Sequence, residues 1–136
     1  KPGAESRQLA NYVDQVRVEC DSQVKVAPPT AFPFPDGINR SLAKLLSQHE
    51  RVVAAYLVQM TYLDNPEMSP GDRPCLTLCV EYDQQDKVLH DQISVAAQSA
   101  IDGKLGEWGF MDIIAANPEI LRAANTAARP FYMKQK

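Results

Sequence analysis

The segment RVVAAYLVQMTYL, residues 51–63, is the longest largely apolar run in the 136-residue chain, and it decides the predicted fold. β-Branched and aromatic residues recur along it, which is typical of a β-strand. Side chains of a strand alternate between its two faces, and both faces are mostly apolar here. One face is expected to carry Val52, Ala54, Tyr56, Val58, Met60 and Tyr62. Such a strand is predicted to lie at the centre of a sheet that is covered on both sides. A buried helix remains an alternative, because alanine and leucine also favour helices.

Two further strands are predicted, over 75–82 and over 108–114, the latter reading WGFMDII. The first alternates well, with Leu76, Leu78, Val80 and Tyr82 on one face. Residues 64–73 between the first two strands are rich in turn formers, so they predict a long hairpin loop. Trp108 and Asp112 would share a face of the third strand. We expect Trp108 to be a core residue rather than a surface anchor.

Amphipathic periodicity predicts three main helices, over about 36–49, 87–102 and 117–129. Asp36 is expected to cap the first. The second should bury Val88, Leu89, Ile93, Ala96, Ala97, Ala100 and Ile101. Gly103 should close it in the left-handed conformation. Asn117 followed by Pro118 is a start signal for the third helix.

The mixture of strands and helices predicts an α+β fold, a small mostly antiparallel or mixed sheet with helices packed on it. Residues 24–136 are expected to form a single domain, and residues 1–23 to be the remnant of a preceding segment with a short helix over 6–16. Residues 23–26 are predicted to form a short edge strand. The proline-rich segment 27–35 should be an extended arm, with Phe32 and Phe34 docked on the body.

Composition argues against several classes of function. The net charge of −3, without clustered Lys and Arg, gives no sign of a nucleic-acid surface. No apolar run approaches the roughly 20 residues that span a bilayer. Three cysteines without a spacing pattern predict no disulfide framework and favour a reduced, cytoplasmic setting.

No motif for a catalytic, cofactor or metal site is visible. The two histidines, His49 and His90, lie on different predicted helices, with His90 near the solvent side. No phosphate-binding loop or nucleophile elbow occurs. Asp112, or the pair Glu81 and Asp83, could serve as catalytic carboxylates. For Asp112 we prefer a structural role, as a carboxylate that accepts hydrogen bonds.

The chain resembles the C-terminal domain of the enhanced serine sensitivity protein B (SseB) family. The resemblance is carried by PPTAFPFPDGINRSLAKLL, HERVVAAYLVQM, PCLTLCVEYD, WGFMDII and the terminal RPFYMK, and it spans 24–134. It implies a bacterial, cytoplasmic protein with no assigned catalytic activity or cofactor. Related domains occur near secretion and toxin systems, which implies a binding or regulatory module.

The preferred hypothesis is therefore a non-catalytic module that binds another protein. Its candidate partner-binding residues are Asp64, Asn65, Glu67, Met68, Asp72 and Arg73 of the loop, with Phe131 and Tyr132 of the tail. An immunity protein that neutralises a secreted toxin is an alternative, with acidic residues opposing a basic toxin surface. An enzyme with a carboxylate site ranks last. Self-association into a homodimer through an exposed edge at 24–26 is a further hypothesis.

Overall fold

The computed structural model describes residues 14–18, 22–63, 66–67 and 69–134. Within them the chain forms six strands and three helices. The strands are β1 (Asp14–Val18), β2 (Ser22–Ala27), β3 (Val52–Tyr62), β4 (Cys75–Tyr82), β5 (Met111–Ala115) and β6 (Tyr132–Met133). The helices are α1 (Ile38–Leu46), α2 (Lys87–Ile101) and α3 (Pro118–Ala127).

The strands form one mixed sheet in the order β1-β2-β3-β4-β5. The first four are antiparallel neighbours, and β5 runs parallel to β4 after the α2 crossover, since a parallel pair needs a long connection. The short β6 pairs with the start of β3, and β2 pairs with the end of β3 along the same edge. The predicted α+β fold with a mixed sheet is confirmed.

Both faces of β3 are buried, as its composition predicts. Helix α3 packs on one face and helices α1 and α2 pack on the other, which makes three layers. The α3 side receives Ala54, Tyr56, Val58, Met60 and Tyr62 of β3. The expected alternation is wrong at one end, because the register with β4 shifts between Val52 and Ala54. This irregularity turns Val52 to the α1 and α2 side and Val53 to the α3 side.

The predicted helix-end signals hold at Asn117 and Gly103 and fail at Asp36. The side chains of Asp86 and Asn117 cap α2 and α3, accepting from Leu89 N at 3.1 Å and Ile120 N at 2.8 Å. Gly103, with φ 72°, follows α2 as predicted. The expected Asp36 cap is wrong: the residue before α1 is Gly37, with φ 80° and no side-chain cap.

The sequence predicted that Val88 belongs to the buried stripe of α2, and this prediction is wrong. The stripe is Ile93, Ala97 and Ile101, and Val88 is 68% exposed. At 3.6 residues per turn, the five-residue step from Val88 to Ile93 places Val88 about 140° away from the stripe. The apolar side chain of Val88 is therefore a surface residue.

The third main strand begins later than predicted. Trp108 lies in a 3₁₀ turn, Gly106–Trp108, and β5 starts at Met111. Gly109, at φ 81°, separates the turn from the strand and breaks the expected alternation. Trp108 packs on the α1 and α2 side, whereas Asp112 reaches Tyr62 on the α3 side. Trp108 is only 2% exposed, so its predicted core location is confirmed.

The N-terminal predictions need two corrections. Residues 6–13 of the predicted helix lie outside the described residues, but residues 14–16 belong to β1, a strand. Strand β2 is not an edge, because it pairs with β1 on one side and with β3 on the other. The backbone of 24–26 is therefore unavailable for the self-association that we had hypothesised. The domain boundary at residue 24 remains a prediction, and the sheet includes strands on both sides of it.

We predict that Trp108→Ala lowers the free energy of unfolding by about 3–5 kcal/mol, because it empties a core site. Urea denaturation would measure this loss, with the exposed Val95→Ala as control. In the wild type, native Trp108 emission should be blue-shifted and weakly quenched by iodide. A red-shifted, readily quenched emission would contradict the burial.

Candidate functional site

The structure separates the two halves of the predicted partner-binding set. The loop follows Tyr62 at the end of β3, whereas Tyr132 lies opposite Ala55 near its start. The seven residue steps from Ala55 to Tyr62 span about 23 Å at ~3.3 Å per residue. The loop and the tail are therefore two surfaces at opposite ends of the sheet. Asp64, Asn65 and Met68 lie outside the described residues.

The loop is anchored to the sheet rather than being slack. Ser69 is buried, and its Oγ accepts a hydrogen bond of 2.9 Å from the backbone N–H of Tyr62. The 3₁₀ turn Pro70–Asp72 then brings the chain to β4, with Gly71 and Asp72 at positive φ of 60° and 63°. Glycine adopts this conformation freely and aspartate tolerates it. Glu67 and Asp72 remain exposed.

Arg73 holds the proline-rich arm in place. Its guanidinium lies 4.3 Å from the centre of the Phe32 ring and also donates a hydrogen bond to Glu107 O. Phe32 also packs against Trp108 edge to face, with 5.0 Å between the ring centroids. Trp108 Nε1 donates to Pro33 O at 3.0 Å. The predicted docking of Phe32 is confirmed, and Arg73 has an internal contact besides its candidate role.

Two phenylalanines next to these contacts face solvent. Phe34 follows Pro33 and is 38% exposed, and Phe110 follows the Trp108 turn and is 49% exposed. We define the loop-end surface as Phe34, Asp72, Arg73, Glu107 and Phe110. The sequence predictions missed Phe110 because it was placed inside a strand. The flanking Gly106 and Gly109 were the signal for a turn there.

The tail half forms a groove between the end of α1 and β6. The groove has a volume of about 630 Å³, and its walls include Lys44, His49, Tyr132, Met133 and Lys134. Lys134 closes the pairing with β3, where its N–H donates to Val53 O at 2.8 Å. Its Nζ donates to Glu50 O at 2.6 Å. We call this feature the tail groove.

Phe131 and Tyr132 are more structural than the sequence had indicated. Both are half-buried and pack against the core on the α1 and α2 side. The N–H of Phe131 also donates to Ala55 O at 3.0 Å. Met133 pairs with Ala54, so its side chain lies on the α3 side of the sheet, where it is 63% exposed.

Asp112 has hydrogen-bond partners that fit the structural interpretation. Its Oδ2 accepts from Tyr62 Oη at 3.1 Å and its Oδ1 accepts from Ile113 N at 3.0 Å. Burial, and then the charge of Asp112, raise the pKa of Tyr62 well above 10, so the phenol stays protonated. The other candidate acids, Glu81 and Asp83, lie at the opposite end of β4.

The described cysteines are buried and the described histidines are half-buried. Burial raises the pKa of the Cys79 thiol to about 12, which keeps it in the unreactive thiol form. Burial likewise raises the pKa of the Cys75 thiol. The predicted solvent-side location of His90 needs correction, because the ring is half-buried and its Nδ1 lies 2.6 Å from Tyr82 Oη. His49 lies just beyond the end of α1.

The part of the chain that the structure describes holds neither a cluster of metal-ligating residues nor a membrane-spanning helix. No three or more His, Cys, Asp or Glu residues come together there in a group that could hold a metal ion. None of the helices there has the length and apolar character to cross a bilayer.

The fold and these surfaces define a small three-layered α+β domain with exposed aromatic and methionine side chains at the ends of its sheet. The family model described as SseB protein C-terminal domain matches residues 18–134. The chain belongs to this family. No curated protein and no solved structure matches it.

We predict that stability falls at alkaline pH. The pKa values of Tyr62 and Cys79 are raised in the folded state from ordinary values of 10.0 and 9.0. The unfolded chain therefore loses these protons first, so stability is full below about pH 9 and declines as the pH rises above it.

Urea denaturation between about pH 8 and pH 11 would measure the decline. Tyr62→Phe should make it shallower, because the buried phenol no longer titrates in the unfolded chain. Tyr132→Phe, outside this cluster, is the control. An equal decline in all three proteins would contradict the assignment to Tyr62.

Proposed function

We propose that this domain is a non-catalytic module that binds another protein through the loop-end surface. The observation that carries the proposal is the exposure of Phe34 and Phe110 beside the contacts of Trp108. Aromatic residues are enriched in the energetically important centres of protein interfaces. Large exposed phenylalanines are costly for a free surface and favourable once a partner covers them.

The anchoring of this surface supports a binding role. The arm that carries Phe34 is fixed by Trp108 and Arg73, and further back Gln59 Oε1 accepts from Thr30 N and Ala31 N at 3.0 and 2.9 Å. A surface that is already ordered loses little conformational entropy when a partner binds. The contacts of Arg73 thus favour binding even where Arg73 does not touch the partner.

The charges around the two phenylalanines indicate the character of the partner. Asp72 and Glu107 are exposed there, and the chain as a whole is acidic, with net charge −3. Acidic groups around an apolar centre favour a partner whose binding surface is surrounded by basic residues. The same feature favours the second candidate, an immunity protein that covers a basic surface of a secreted toxin. The bacterial, cytoplasmic and secretion-associated setting comes from the family resemblance.

The enzyme hypothesis has less support. Asp112 accepts hydrogen bonds from Tyr62 and from the backbone of Ile113, and the tail groove is not lined by Asp112, Glu81 or Asp83. A general acid or base has to reach a bound substrate, usually in a concave site. We therefore assign no catalytic residue.

We predict that the double variant Phe34→Ser, Phe110→Ser loses a partner that the wild type retains. Removing both aromatic anchors should weaken binding by about 30-fold or more, the effect of an interface hot spot. Affinity capture from a lysate of the source organism, with quantitative mass spectrometry, would measure the loss.

Val95→Ser is the matched control, because Val95 is a 72% exposed apolar residue on α2. The control should capture the same partner as the wild type. Capture of identical proteins by all three chains, or of no specific protein by the wild type, would count against this surface. Equal unfolding midpoints for the three chains would exclude misfolding as the cause.

A further inference from the structure

We propose that the tail groove is a second binding site, which takes an acidic, extended segment of another protein as an added strand on β6. This site lies at the opposite end of the sheet from the loop-end surface and goes beyond the binding role proposed there. It rests on three features: a strand edge beside the groove, the exposed apolar side chain of Met133 on that edge, and a local excess of positive charge in the groove.

The strand edge is the outer side of β6. In the antiparallel register Met133 lies opposite Ala54, and the next residue, Lys134, donates its N–H to Val53 O. Hydrogen-bonding groups alternate in direction along such a pair, so those of Met133 point away from β3. Among the described residues no strand pairs with this outer side. An extended peptide could add there by main-chain hydrogen bonds.

The groove gives side chains of an added strand a place to bind. The opposite wall, at the end of α1, includes the small Ala43, and the groove of about 630 Å³ separates it from β6. Side chains of an added strand would alternate between this groove and the α3 side of the sheet, where the Met133 side chain is 63% exposed. Methionine adapts its shape to apolar partners, which suits it to the recognition of an aliphatic side chain.

The charge of the groove selects an acidic partner. Lys44 and Lys134 line it with His49, and Glu50 is the acidic residue in its wall. Neither lysine forms an ion pair with a carboxylate in the described part of the chain. This local excess of positive charge contrasts with the net charge of −3 for the whole chain. Acidic residues that flank an aliphatic one would complement it.

The same lysines argue against a second copy of this chain as the occupant. Pairing of β6 with β6 would bring Lys44 and Lys134 of both copies into one small region, and like charges there repel. Lysine on an edge strand is also a common device against self-pairing. The geometry therefore favours a foreign acidic strand.

The test uses a short fluorescein-labelled peptide of alternating valine and glutamate, with fluorescence polarisation as the readout and the whole chain as the receptor. We expect saturable binding that weakens with salt. Lys44→Glu and Lys134→Glu should each weaken it by about fivefold, the upper range for an exposed charge pair. The control is Lys104→Glu, an exposed lysine beyond the far end of α2, which should leave binding unchanged.

Two control peptides separate strand addition from simple charge attraction. A valine–lysine peptide should not bind, and the glutamate peptide with N-methylated valines should bind much more weakly, because it lacks strand hydrogen-bond donors. The Phe34→Ser, Phe110→Ser variant should bind the glutamate peptide normally, so this site and the loop-end surface can fail separately.

Several results would overturn the proposal. The first is that the glutamate peptide does not bind. The second is that the N-methylated peptide binds as tightly as the unmodified one. The third is that Lys104→Glu weakens binding as much as Lys44→Glu and Lys134→Glu do. Sedimentation that shows a dimer disrupted by Lys134→Glu would identify a second copy as the occupant and would equally overturn it.

Discussion

The rest of the structure depends on one constraint, which is that β3 is buried on both faces and paired along both edges. One edge pairs with β4, the other pairs with β2 and β6, and helices cover both faces. Most backbone groups of this buried strand are thereby paired within the sheet, and residues 56–58 pair along the β4 edge alone. Little of this strand remains for chemistry or for a partner, so binding surfaces are expected at its two ends.

The two ends differ in chemical character. At the loop end, Trp108, Phe32 and Arg73 fix the arm, and the surface is aromatic with acidic neighbours. At the tail end, β6 presents an edge with an exposed methionine, and two lysines line the groove beside it. The two proposed binding sites would let the domain hold two different segments at once, as an adaptor or regulatory module does. Membership of the SseB C-terminal family fits this account and adds no catalytic residue to it.

Most elements could be predicted from the sequence because their signals are local. Alternation in 75–82 and the Asn117–Pro118 start signal depend only on neighbouring residues, and both predictions hold. The failures depend on tertiary contacts. The register shift beside Val52 and the pairing of β1 with β2 are set by other strands. The loop and the tail were predicted as one site because no local signal shows that β3 separates them.

Native-state hydrogen exchange tests the central role of β3 most directly. We predict that the amides of Tyr56 and Val58, at the middle of the strand where it pairs with β4, exchange only through global unfolding, with the same denaturant dependence as the unfolding free energy. The amides of Phe131 and Lys134 should exchange through smaller local openings, because β6 is short and at an edge. Exchange of the central β3 amides by local opening, at a free energy well below that of global unfolding, would contradict the account.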